Sequence, residues 1–309
     1  MTTTFTGIDL NWTGRLRSIA ALLIESAGAS AVLDPGPEST VGTLRGALRA
    51  RGLDVKKLDA LLLTHIHLDH AGATGALVQE NPDLKVYVHE FGAVHLVDPS
   101  RLLASAGRLY GGDLKVLYGE CAPVPDGNLR PLRGGEKIRV GEVELEAFYT
   151  PGHASHHVTY WDSQSRTAFV GDTAGIRVQG EEFLVPATPP PDIDVEIWKQ
   201  SLDAIASLGP ERLFLTHFGF IEDPAEHIRL YEAKLEEWAE LTRKLLASGT
   251  ETSEAEKAFV EAVASQIKSA LPRDAADHYI FNAGLRLSWL GLMRYAHKKA
   301  TRAPVTEAR

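Results

Sequence analysis

The 309-residue chain has one cysteine, Cys121, two methionines and only 7% aromatic residues. A lone cysteine forms no intrachain disulfide, which excludes a disulfide-stapled scaffold, and a chain this long buries enough surface to fold without staples. It also lacks an apolar run of the about 20 residues that span a bilayer. The richest stretch, 279–296, is interrupted by Asn282, Arg286, Ser288 and Arg294, so it reads as a helix and not an anchor. The opening residues MTTTFTGIDLNW have neither the basic cluster nor the apolar run of a secretion signal, which predicts a cytoplasmic location. Positive charge is in deficit, with 32 Lys and Arg against 41 Asp and Glu and a net charge of −9. That balance argues against nucleic acid or an anionic membrane as partner and leaves a small-molecule substrate. No low-complexity tract or short-period repeat occurs. What remains, 44% hydrophobic and 24% charged, is the composition of an ordinary globular protein.

Apolar patterning predicts the elements. Runs at 19–24 and 31–33 read as a hairpin that ends in the rigid turn Asp34-Pro35-Gly36-Pro37. Ser39 is placed to cap a helix that carries Val41, Leu44 and Leu48 on one face and stops near Gly52. The continuous run 58–63 suits a strand covered on both faces. A helix at 71–79, a strand at 84–88, a hairpin at 138–148, strands at 157–161 and 167–170, a helix at 195–208 and a strand at 212–215 continue the alternation. After Pro224 the texture changes to three helices, at 225–247, 254–270 and 275–299. The expectation is therefore an α/β (layered α+β) unit over residues 1–222 and a C-terminal helical extension over 223–309.

The chemistry concentrates in Thr64-His65-Ile66-His67-Leu68-Asp69-His70, four metal-ligating side chains packed directly behind a buried strand. In an extended turn His65 and His67 point the same way, while Asp69 and His70 enter a helix and face a second position. Three isolated donors follow, each at the end of an expected strand: His153 in Thr150-Pro151-Gly152-His153, Asp172 after Gly171, and His217 in Thr216-His217-Phe218-Gly219. The glycines beside them allow backbone to approach a crowded centre.

These residues resemble the signature of the metallo-β-lactamase-fold hydrolases, His-x-His-x-Asp-His followed by separated His, Asp and His, over roughly residues 15–220. The resemblance implies an αββα sandwich with the site at one edge of two sheets. It implies two divalent metal ions, zinc by default with iron or manganese as alternatives. His65, His67 and His153 would hold one, Asp69, His70 and His217 the other, and Asp172 would bridge them. Two such ions sharing a water lower its pKa towards 7, so the reaction expected is hydrolysis of a small ester, thioester or lactone by metal-bound hydroxide. Asp69 is the expected catalytic residue, accepting a hydrogen bond from that hydroxide. Flavodiiron proteins carry Glu where this chain has His67, and the true β-lactamases of this fold generally lack an Asp at the place of Asp172. Two alternatives stay open: a small-molecule phosphodiesterase or phosphotriesterase, and an iron-dependent oxidoreductase similar to the persulfide dioxygenases, which use part of this ligand set.

Further polar residues receive weaker assignments. His89 and His95 follow the strand after the metal motif and line either the pocket mouth or a surface loop; Arg177 is a candidate for an anionic substrate tail. His156 and His157 read as residues behind the ligands, and 188–192 as a stiff loop near the site. The helix with His278, Tyr279, Phe281 and Trp289 either covers the site, as a C-terminal helical part does in glyoxalase II enzymes, or serves core packing or a dimer seam, and its broad apolar face favours a homodimer. His89, Arg177 and Tyr279 are the substrate-binding candidates. Substrate choice is expected to reside in loops at 89–120 and 175–192.

Overall fold

A computed structural model describes residues 3–178 and 183–302, so part of the 175–192 segment, residues 179–182, lies outside the described residues. In chain order the first half runs β1 (Thr4–Asp9), β2 (Ala20–Ser26), β3 (Ala29–Leu33), α1 (Val41–Arg49), β4 (Ala60–Leu62), α2 (Leu68–Ala71), α3 (Thr74–Glu80), β5 (Lys85–His89), α4 (Glu90–Val97), α5 (Ser100–Tyr110), α6 (Leu114–Tyr118) and β6 (Leu129–Leu132). The second half runs β7 (Lys137–Val140), β8 (Val143–Tyr149), β9 (Val158–Asp162), β10 (Thr167–Phe169), α7 (Val195–Ser207), β11 (Arg212–Leu215), β12 (Gly219–Ile221), α8 (Pro224–Ala247), α9 (Thr252–Ala270), α10 (Arg273–Ala283) and α11 (Leu285–Arg302).

Two six-stranded sheets result, ordered β1-β2-β3-β4-β5-β6 and β12-β11-β10-β9-β8-β7. Strands β3 to β6 are parallel, as are β10 and β11, and the remaining pairs are antiparallel. Successive side chains of a strand point to opposite faces, and β2 shows what that does here. Its Ala20, Leu22 and Ile24 pack between the sheets with Leu145, Tyr160 and Phe169, while Ala21 and Leu23 pack outward under α1 and α3. Both faces are covered, which is why the run reads as unbroken apolar sequence. Helices α1 to α6 cover the first sheet and α7 to α11 the second, giving an αββα sandwich with a C-terminal helical bundle.

Several expectations change. Ser39 caps no helix: its hydroxyl donates to the Leu117 carbonyl, and the turn before α1 is made by Glu38–Thr40. The helix expected at 71–79 is two, α2 and α3, and the one expected at 275–299 breaks at Gly284, whose φ of 51° is left-handed. The stretch 90–118, expected as loop, holds α4, α5 and α6. The apolar face at 279–296 packs inside this chain, since Tyr279, Leu285, Trp289 and Leu292 share one core with Trp198, Leu213 and Tyr231. Among the described residues no helix is long and apolar enough to cross a membrane.

Candidate metal centre

The donors arrive at one edge of the sandwich because each follows the C-terminal end of a strand. His65 and His67 leave β4, Asp69 and His70 sit on α2, and His153, Asp172 and His217 follow β8, β10 and β11. His65, His67, His153 and Asp172 form one group and Asp69, His70 and His217 a second, with the donor atoms of each group within 4.8 Å of one another. Asp172 faces both: its Oδ2 lies 3.4 Å from His153 Nε2, and its Oδ1 lies 3.2 Å from His70 Nε2 and 3.5 Å from His217 Nε2. Asp69 Oδ2 is 3.4 Å from His217 Nε2.

Hydrogen bonds on the far side of each ring decide where its lone pair points. His153 Nδ1 lies 2.9 Å from the Ala187 carbonyl and His217 Nδ1 2.6 Å from the Ser18 carbonyl. A carbonyl only accepts, so both Nδ1 atoms carry the proton and both Nε2 lone pairs face the centre. His70 Nδ1 donates likewise to Asp34 Oδ2 at 2.8 Å. Thr64 Oγ1 gives its proton to the same carboxylate at 2.7 Å and so accepts from His65 Nδ1 at 3.1 Å. Lone pairs therefore converge: His65 Nε2 and His153 Nε2 each stand 2.9 Å from His67 Nδ1. His70 Nε2 and Asp172 Oδ1, 3.2 Å apart, are buried, and among the described residues neither has a partner of hydrogen-bonding geometry. Acceptors crowded so closely repel unless positive charge lies among them, and a pair of divalent cations meets that need. The donor set fits the metals that the sequence implies.

Electrostatics agree. Burial, reinforced by the neighbouring imidazoles, pushes His65 well below the ordinary histidine value and takes His67 down to about 4. Burial also acts on the carboxylates, but His70 and His217 outweigh it, holding Asp69 at about 2 and Asp172 well below the ordinary range. For His70 burial is likewise outweighed, here by Asp172, Asp34 and Asp69, and its value rises. The site thus presents ionised carboxylates and neutral rings at one group and attracts positive charge at the other.

Sequence reasoning placed His157 behind the donors but missed Asp34. Asp34, fully buried at left-handed φ, accepts from Thr64 N at 2.8 Å, Thr64 Oγ1 at 2.7 Å, Thr216 Oγ1 at 2.8 Å and His70 Nδ1 at 2.8 Å. The Asp34-Pro35-Gly36 turn was its only visible signal. His157, fully buried, accepts from Asp172 N at 3.3 Å and donates from Nδ1 towards the hydroxyls of Thr150 and Thr173, both at 3.1 Å, which fixes the loop carrying Asp172.

A cavity of about 500 Å3 opens on the donors, with His67, Asp69, Asp172 and His217 in its wall. His95, His156 and Pro189 to Pro191 also line it, and His156 Nδ1 is buried without a hydrogen-bond partner among the described residues. The three substrate-binding candidates lie elsewhere. His89 is buried and stacks on Tyr149 at 4.5 Å between centroids; Arg177 pairs with Asp223 at 2.9 Å. Tyr279 accepts from Val178 N at 2.8 Å and donates to the Phe183 carbonyl at 2.6 Å. Its neighbours Phe281 and Asn282 do reach the cavity.

Known proteins are similar to this chain in sequence and fold. The metallo-beta-lactamase fold-containing protein ST1585 of Sulfurisphaera tokodaii is 31% identical over 185 residues, 58% of this chain and 69% of its own length. Its crystal structure superposes over 94% of this chain and 99% of that one with a TM-score of 0.69 at 23% identity. The family protein TTHA1429 of Thermus thermophilus superposes over 96% and 94% with a TM-score of 0.66 at 21% identity, a likeness of fold. A hydroxyacylglutathione hydrolase of Legionella pneumophila is 24% identical over 155 residues, 50% of this chain but only 46% of the relative. The sequence profile of the metallo-beta-lactamase superfamily matches residues 14–217, which hold all seven donors. The chain belongs to the metallo-beta-lactamase superfamily.

Proposed function

We propose that the protein is a binuclear metal-dependent hydrolase that cleaves a small ester, thioester or lactone, with zinc as the resident ion. The observation that carries this reading is Asp172, whose two oxygens face two separate donor groups at the floor of one cavity. Divalent ions held there supply Lewis-acid charge and bring the pKa of bound water towards neutrality. The chain's own residues do the rest. Asp172 offsets the charge and keeps the two donor groups in register. Asp69, ionised at neutral pH and partly open to the cavity, would accept a hydrogen bond from the attacking water and so aim its oxygen. Asp34 and His157 hold the donors in place before substrate arrives.

Among the described cavity residues Arg101 is the one Lys or Arg, against the acids Asp69, Asp172 and Asp192. A phosphate diester or triester would gain little there, which favours a carboxylic ester or thioester over the phosphoesterase alternative. The name of the hydroxyacylglutathione hydrolase relative points the same way. The test is metal analysis of the purified protein with turnover assays on thioesters, lactones and phosphodiesters. About two ions per chain with chelator-sensitive thioester or lactone hydrolysis is expected. Trace occupancy with every ion supplied would overturn the reading, as would oxygen consumption without hydrolysis, or near-normal turnover and metal content in Asp69→Ala.

A further inference from the structure

The cavity over the donors is walled mainly by carbon, from three distant parts of the chain. Trp12 follows β1; Leu102, Ala106 and Leu109 come from α5 at helical spacing; Phe281 and Leu287 come from α10 and α11. The Trp12 ring stands 5.4 Å from Phe281 and 5.6 Å from Tyr118, which itself stands 4.9 Å from Tyr110, so four aromatic rings make one continuous wall. Leu102, Leu109 and Leu287 are only half-buried although each lines the cavity, leaving apolar surface that the described residues do not cover. The carboxylates of Asp69 and Asp172 and the rings of His67 and His217 mark the donor end, while His95, Arg101 and Asp192 add polar groups to the lining. A space of this kind is filled in water only by poorly bonded solvent, and an apolar group that displaces it gains by burial.

We propose, resting on the hydrolase reading above, that the substrate carries a large neutral apolar acyl group that occupies this cavity, with its carbonyl at the end formed by Asp69, Asp172 and His217. The volume of about 500 Å3, at about 30 Å3 for a group the size of a water, holds about sixteen such groups, ample for a chain of about eight to ten carbons together with the ester atoms. Each methylene moved from water into apolar surroundings is worth about threefold to fourfold in binding. Even half of the burial available to an octanoyl chain therefore selects it over acetyl by at least about thirtyfold.

The experiment uses the metal-loaded full chain and thioesters of one small polar thiol with acetyl, butanoyl, octanoyl and 2-naphthoyl groups. We expect kcat/KM to rise at least thirtyfold from acetyl to the better of the two large groups, and the naphthoyl arm tells an aryl group from an alkyl chain. Leu109→Trp and Leu287→Trp, on separate helices, each fill the cavity and are expected to cut the ratio of large-group to acetyl kcat/KM at least tenfold; circular dichroism checks that each is folded. Calorimetry with octanoate and acetate gives a readout independent of turnover, with octanoate binding lost in both variants. Thioester turnover that ignores acyl size overturns this proposal and leaves the hydrolase standing. Octanoate binding without turnover of any thioester or ester overturns the hydrolase and leaves the apolar-ligand assignment. Neither binding preference nor turnover overturns both.

Discussion

Asp34 offers the sharpest test of how the centre is assembled, because it is fully buried outside the lining of the cavity over the donors and acts through other residues. Its Oδ2 accepts from Thr64, Thr216 and His70, and its Oδ1 accepts the Thr64 amide. Asp34→Asn keeps the shape, but the amide nitrogen cannot accept. With the amide oxygen kept on Thr64 N–H, the NH2 group faces three donors, and the ring that can yield is His70, by taking the proton on Nε2. That tautomer cannot ligate. Loss of a partner behind a metal-ligating histidine typically costs 10- to 100-fold in affinity. The buried mismatch should cost a further about 1–3 kcal/mol of folding stability, a fall in Tm of about 2–5 °C. The two readouts are a metal titration with element analysis and thermal unfolding of the metal-free protein. The expected result is one ion retained at His65, His67 and His153 and a second ion bound at least tenfold more weakly. If the Asp34→Asn protein binds both ions as tightly as the wild type, the tautomer argument fails. If metal affinity falls equally at both positions, Asp34 is a general structural support and not a positioning residue for His70.

Other outcomes follow from the same geometry. His227 is buried, donates to the Ala174 carbonyl at 2.8 Å and faces Arg177 at 3.4 Å; burial first, then that guanidinium, lowers its value from 6.5 to about 4. Stability from the neutral ring is complete above the unfolded value of 6.5 and is lost as pH falls through 4, by about 2 kcal/mol between pH 7 and pH 5. His227→Gln should flatten that part of a denaturant-midpoint against pH curve, and an unchanged slope would refute the assignment. Gly152 precedes His153 at a φ of +130°, and an added Cβ would stand 2.3 Å from Trp198 Cα. Gly152→Ala should therefore cost about 3 kcal/mol or more, read by chemical denaturation, and a wild-type midpoint would show that the loop relaxes freely. Chelation should leave the crowded lone pairs uncompensated, so Tm should fall on metal removal and recover with the ion, in proportion to RT ln of its excess over Kd. A Tm indifferent to chelator would mean that the donors hold nothing.

Much of the site was legible because its signals are local. Four donors lie within His65–His70, so the chain itself places them together once β4 ends and α2 begins, and His153, Asp172 and His217 were marked by strand ends with glycine nearby. The buried strands were legible for a similar reason: continuous apolar runs such as 19–24 need cover on both faces wherever they lie. Local signals failed where cover comes from elsewhere. Helix α4 has little amphipathic contrast, with Phe91 and Val94 exposed, and so looked like loop. Gly284 breaks α10 from α11 by one left-handed residue inside an otherwise helical pattern. His89 and Tyr279 carry chemistry-bearing side chains that the fold commits to packing and to backbone hydrogen bonds.

By itself, then, the sequence determined the layered class, the seven donors and their order along the chain, because ligand spacing and apolar runs are written in neighbouring residues. Only the tertiary structure decided that Asp34 and His157 orient those donors, that Asp172 faces two groups at once, and that Trp12, Leu109 and Leu287 wall a single cavity. Contacts between residues of different elements leave no periodic trace. They come into being when two sheets stack and the C-terminal helices close against α5 and α6, and nothing short of that packing brings them together.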